Sequence, residues 1–171
     1  MKAKAKGKEA QQKQSGHCGI VFRNGSFREY ATEMLERGKG DGSVFRVCEI
    51  ASEIANDLSI RGKPLLNKDI IITQRQIFKY RNHPKTAKGA NLPLSDYELI
   101  EETLKSPMHI YEDTVQNRLV YVCTHPYHER RLIKVVIEPN YKSHGIVMNI
   151  VKSWGVVEQT KMNGPQYRQV K

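Results

Sequence analysis

His83, Arg118, Tyr121 and Lys134 are the side chains of this sequence whose types and placing suit phosphodiester chemistry. A ribose 2'-hydroxyl attacks the adjacent phosphate when three conditions meet. A base takes its proton, an acid protonates the departing 5'-oxygen, and cations meet the charge that builds on the phosphate oxygens. Histidine at a helix end, with lysine, arginine and tyrosine on neighbouring strands, can supply all three without a metal. His83 precedes Pro84, which stops a helix, so it sits at the negative end of a helix dipole. Arg118 and Tyr121 lie on an extended run over 118–124, and Lys134 lies within RRLIKVVIEP. That run alternates in two possible registers, so the face carrying Lys134 stays open at this point.

Other groups extend the chemistry or limit it. Lys79 precedes His83 by about one helical turn, and Lys85 and Lys88 follow in a Gly-containing loop without the GxxxxGK[ST] pattern of a triphosphate-binding loop. Cys123, His125 and His128 have ligand-like spacing, but no second cluster completes a zinc set, so no metal is expected. His125 and His128 with Arg130 and Arg131 read instead as part of an RNA path, with Tyr127 free to stack on a base. Glu112, Asp113 and Asp96 are scattered acids without the convergence of a two-metal nuclease. Trp154, the only tryptophan, reads as a core plug.

The 171 residues fit one domain with an α+β core, and 28 Lys plus Arg against 18 Asp plus Glu leave a formal charge of +10. Such a surplus suits a polyanion, and RNA is the partner expected. Cys18, Cys48 and Cys123 are too few and too scattered for a disulfide framework. No apolar run reaches the roughly 20 residues of a membrane span, so a cytoplasmic protein without a membrane partner is expected.

The elements that must position these groups follow from period and punctuation. Residues 1–16 form a Lys-rich arm expected to be disordered, and 17–43 an extension: a hairpin around Asn24-Gly25, a helix ending at Gly38, and a flexible joint in GKGDG. Val44, Val47, Cys48, Ala51, Ile54, Ala55 and Leu58 fall on one face of a helix over 44–58. A strand over 69–73 follows, then a helix from a Thr73/Gln76 capping box to His83, and another from a Ser95/Glu98 box to Pro107. Runs at 108–113, 118–124, 131–138 and 146–153 read as an antiparallel meander. Helices first and sheet second give an α+β fold, with N-terminal helices followed by an antiparallel β-sheet.

The stretch NHPKTAKGANLPLSDYELIEETLKSPMHIYED, with NRLVYV, RRLIKVVIEP, GIVMNIVKSW and NGPQYRQVK, resembles the phage-associated barnase/EndoU/colicin/RelE-like (BECR-fold) nucleases over about residues 44–171. The resemblance implies an α+β nuclease domain over 44–171, helices followed by a curved antiparallel β-sheet, that acts as a metal-independent, cofactor-free endoribonuclease and leaves a 2',3'-cyclic phosphate, in a phage or toxin setting. It places His83 as base or acid, Lys134 and Arg118 as transition-state cations, and Asn149 or Tyr121 as an orienting donor. Asn149 stands where the family commonly has Ser or Thr, with Ser153 a few residues on, and Lys79 where a second histidine often stands. These departures leave room for a catalytically inactive RNA-binding or virion-associated protein of the same fold. A phage structural protein or an immunity protein is a further partner that such a setting implies.

Overall fold

A computed structural model describes residues 19–83, 90–143 and 145–171. It is a mixed α+β domain in which helices α1 (Phe27–Arg37), α2 (Ser52–Ile60), α3 (Gln74–Asn82) and α4 (Glu98–Lys105) accompany an eight-stranded sheet. The strands are β1 (Phe22–Arg23), β2 (Val44–Glu49), β3 (Asp69–Thr73), β4 (His109–Asp113), β5 (Arg118–His125), β6 (His128–Ser143), β7 (Ile146–Glu158) and β8 (Tyr167–Gln169). Their order is β1-β2-β3-β7-β6-β5-β4-β8. β4 to β7 form the expected antiparallel meander, while β1 with β2 and β3 with β7 are parallel.

Every second residue of the strands packs with the helices. Phe45, Ile70, Ile72, Leu119, Tyr121, Ile133, Val135 and Trp154 share one buried cluster with Phe27, Met34, Ile54, Ile77, Ile100 and Leu104 of α1 to α4. The helices therefore cover one face, called inner here. The alternate residues form two smaller clusters on the outer face, one around Ile71 and Ile150 and one around Val120, Val122, Leu132 and Met162. No helix among the described residues is long and apolar enough to cross a membrane.

Several sequence expectations change. The single helix over 44–58 is a strand followed by a helix, β2 and α2. A bulge between Arg46 and Cys48 breaks the two-residue alternation of β2, so its apolar positions fall at a spacing that a helix also satisfies. Strands β1 to β3 thus interleave with helices in the first half, and helices do not simply precede the sheet. The Asn24-Gly25 hairpin is replaced by a short strand parallel to β2, then the start of α1, where Ser26 Oγ accepts the Glu29 N–H. Neither Thr73 nor Ser95 caps by its side chain; Tyr97 leads into α4. The arm over 1–16 lies outside the described residues.

Within 19–43 it is α1 that joins the core, where its Phe27, Tyr30, Ala31 and Met34 are buried. The stretch read as a flexible joint is tied down. Gly38 takes φ 68° to end α1, and its N–H reaches the carbonyls of Met34 and Leu35. A Cβ on Gly40 would stand 2.2 Å from Gln74 Oε1, which accepts the Asp41 N–H at 3.0 Å. Gln74 Nε2 donates to Tyr30 Oη and to Ser43 Oγ at 3.0 and 2.9 Å. Ser43 donates through its hydroxyl and its N–H to Asp41, and these bonds hold the Asp41 carboxyl well below its ordinary range.

Glu112 of β4 ties the C-terminal strand to α2. Its buried carboxylate meets Arg61, Lys63 at 2.8 Å and Arg168 of β8 at 3.0 Å. Burial alone would raise its pKa, but the hydrogen bonds and charges of Lys63 and Arg61 outweigh burial and lower it. The stability that Glu112 contributes is therefore complete above the ordinary carboxylate pKa and is lost as pH falls through the lower folded value. Glu112→Gln is expected to cost about 2–4 kcal/mol at neutral pH, less than a fully buried pair because Lys63 and Arg168 keep contact with water. Urea midpoints check this: the gap between wild type and variant should be wide at neutral pH and shrink in acid.

Candidate nucleic-acid interface

The register left open by the sequence resolves in β6. Ile133, Val135 and Ile137 point inward, so Lys134 lies on the outer face with Leu132 and Val136. On β5, Leu119 and Tyr121 point inward, which puts Arg118 on the outer face beside Val120. Asp113, Gln116, Arg118, Lys134, Ser153 and Tyr167 are among the residues that line a hollow of about 240 Å³ there, with Val120 and Val136.

Each polar group has a visible reason for its position. Tyr167 arrives on β8, which pairs with β4 so that Tyr167 stands opposite Asp113, and its ring meets that of Tyr111 at 6.3 Å. Lys134 reaches across: its Nζ donates to Tyr167 Oη at 2.9 Å and lies 4.9 Å from that ring's centroid. Asp113 and Arg118 face each other across β4 and β5. Asp113 Oδ1 accepts the N–H groups of Val115 and Gln116 at 3.1 and 2.9 Å, which shapes the turn. Arg118 Nη1 donates to Gln116 Oε1 at 2.5 Å. Among the described residues, neither Arg118 nor Lys134 has a carboxylate within ion-pair distance, whereas Arg23, Arg28, Arg37, Arg46, Arg61 and Arg168 are all paired. Two cations facing one polar hollow favour an anion there.

Arg118, Lys134 and Ser153 are thus gathered; the hydroxyl of Ser153 is also engaged with that of Tyr80. His83 is not. It is exposed at the C-terminus of α3, on the inner side of the sheet, with its N–H on the Lys79 carbonyl at 2.8 Å. Lys79 is exposed on the same helix. Asn149 is 0% exposed: its Oδ1 accepts the Asn140 N–H at 3.0 Å, and its Nδ2 donates to the carbonyls of Asn67 and Asp69 at 2.8 and 3.1 Å. It joins three chain segments and cannot reach a ligand. Tyr121 points into the inner core, where burial raises its pKa and its hydroxyl has no partner among the described residues. Both assignments as orienting donors are corrected on that ground: an enclosed side chain meets no phosphate.

His125 and His128 face each other at the β5–β6 turn with ring centroids 4.7 Å apart. Burial first, then the neighbouring His128, lowers the pKa of His125, whose Nδ1 accepts the Tyr127 N–H at 3.2 Å. Arg130 is exposed beside them, and Arg131 pairs with Glu158 at 3.0 Å. This turn does not line the hollow. Lys85 and Lys88 lie outside the described residues.

Sequence reasoning missed Asp113 as a lining group and Tyr167 altogether. The signal for Tyr167 was present in the ending NGPQYRQVK, where turn residues precede an alternating Tyr167, Gln169 pair suited to an edge strand.

The two corrected residues give opposite stability results. Tyr121→Phe removes an unpaired buried hydroxyl and is expected to leave stability unchanged or raise it by up to about 1 kcal/mol. Asn149→Ala removes three buried hydrogen bonds to the backbone and should cost about 2–4 kcal/mol. Urea denaturation separates the two, and neither change should alter what the folded hollow does.

Compared with models of known protein families, with curated proteins and with solved structures, the chain matches none.

Proposed function

We propose that the protein is a metal-independent endoribonuclease whose phosphate site is the outer hollow. One observation carries this reading: Lys134 and Arg118 border the hollow without carboxylate partners among the described residues, beside a tyrosine whose hydroxyl Lys134 already holds. The resemblance to the barnase/EndoU/colicin/RelE-like nucleases supports it, since the family's strand lysine and arginine fall on Lys134 and Arg118. In this reading the partner is RNA in the cytoplasm of a host cell, and a phage structural protein or an immunity protein is a secondary partner.

The chemistry is then assigned to the groups that line the hollow. Lys134 and Arg118 hold the scissile phosphate and meet the charge that develops on its oxygens. Asp113, whose Oδ1 is engaged by the Val115 and Gln116 amides, offers Oδ2 as the base for the 2'-hydroxyl. As the O2'–P bond forms and the P–O5' bond breaks, Tyr167 gives its hydroxyl proton to O5' and regains one from Lys134. The products are a 2',3'-cyclic phosphate and a 5'-hydroxyl, and the proton on Asp113 returns to Lys134 through solvent. Tyr111 and Tyr167 flank the site as surfaces on which a base can stack.

A second reading, a non-catalytic RNA-binding protein, is favoured by the lack of a histidine among the residues that line the hollow. Incubation of end-labelled RNA with the purified protein in EDTA separates the two. Fragments ending in cyclic phosphate support the nuclease. Intact RNA, bound with an affinity that falls steeply as salt rises, supports the binding protein.

A further inference from the structure

Among the described residues, helix α3 carries a second set of cations without carboxylate partners, on the side of the sheet opposite the hollow. Its buried residues Gln74, Gln76, Ile77 and Tyr80 face the core, and Arg75 and Lys79 are exposed on the opposite side with Asn82. The helix has no acidic residue. Among the described residues, α1 pairs Arg28 with Glu98 and Arg37 with Glu33, and α4 pairs Lys105 with Glu101. Neither Arg75 nor Lys79 has a carboxylate partner there. Arg75 also stands in the first turn, where a cation opposes the helix dipole and weakens the helix. Lys79 sits in the last turn, with its Nζ 5.7 Å from the Tyr80 ring centroid, and its exposed charge, like that of Arg75, is open to a phosphate backbone.

We infer that α3 is a second RNA-binding surface, which engages the backbone of long RNA outside the hollow. This rests on the reading of the hollow as an RNA site. Sheet and helix layers pack about 10 Å apart and a helix is about 10–12 Å across. The exposed side of α3 is therefore roughly 15–20 Å from the outer face. A trinucleotide, about 10 Å long at about 3.4 Å per nucleotide, occupies the hollow alone. RNA of several times that length passes the end of the sheet and reaches both surfaces. The substrate class is accordingly extended RNA, with affinity set mainly away from the reacting phosphate.

The test compares the wild-type chain with the double variant Arg75→Glu, Lys79→Glu, whose exposed positions leave the core untouched. Affinities are measured for a ribotrinucleotide and for an RNA of roughly 30 nucleotides across a salt series. The expected result is at least a tenfold loss for the long RNA, with a shallower salt dependence, and trinucleotide affinity within about twofold of wild type. Equal affinity of variant and wild type for the long RNA overturns the inference. So does an equal loss for both ligands, which would place α3 and the hollow in one site. Failure of wild type to bind the trinucleotide at all strikes the reading of the hollow instead, and the long-RNA comparison still decides the role of α3.

Discussion

Lys134→Ala is expected to lower the rate of the RNA cleavage proposed for the hollow by about 10²–10³-fold, a loss of about 2.7–4 kcal/mol of transition-state stabilisation. The size follows from the surroundings of the side chain. Its ammonium is partly buried, has no carboxylate partner among the described residues, and is positioned by Tyr167 Oη at 2.9 Å, so little reorganisation is needed when charge develops on the phosphate. Arg118→Ala is expected to act in the same direction. His83→Ala, at the exposed end of α3, is expected to leave the rate where it was. Single-turnover cleavage at saturating enzyme is the proper measurement, because it reports the chemical step. Lys134→Met keeps an unbranched apolar stem on the same face as Val136 and should lose as much activity as alanine. A variant that loses stability in proportion to activity would point to packing instead.

Trp154→Ala is expected to cost about 3–5 kcal/mol, a large share of the roughly 5–15 kcal/mol that stabilises a typical domain. Trp154 is 2% exposed and is the point where three helical segments meet the sheet. Its ring is T-shaped to Phe27 of α1 at 5.9 Å and to Tyr97, next to α4, at 5.3 Å, and lies 4.4 Å from Tyr80 of α3. The backbone N–H of Trp154 also donates to Tyr80 Oη at 3.3 Å, a bond that the alanine variant retains. Deleting the ring leaves a cavity lined by aromatic side chains that cannot all move in, and truncation costs most in such sites. Urea unfolding followed by circular dichroism tests this, since the variant has no tryptophan to report by fluorescence. Trp154→Phe should recover much of the loss.

What the sequence made legible depended on whether a signal was local. The Gly38 stop, the proline after His83 and the alternation in 118–138 act within a few residues, and α1, α3 and the antiparallel meander follow from them. The strand β2 was lost because its bulge mimics helical spacing, and only pairing with β3 distinguishes the two. Lys134 and Arg118 were found as residue types on strands, but their shared face needed the register of β5 against β6. Asn149 and Tyr121 failed for the same reason: the polarity of a side chain does not tell which side of a strand it occupies. Tyr167 required the return of the C-terminus to β4, a pairing more than fifty residues apart that Glu112 and Arg168 help to hold.

The most direct measurement uses a DNA oligonucleotide that contains one ribonucleotide, incubated with wild type and with Lys134→Ala in EDTA. The expected result is a single cut on the 3' side of the ribose, with a cyclic phosphate on one fragment and a 5'-hydroxyl on the other, made by wild type and lost in the variant. Equal cutting of the all-DNA strand, or cutting that Lys134→Ala leaves intact, would contradict it.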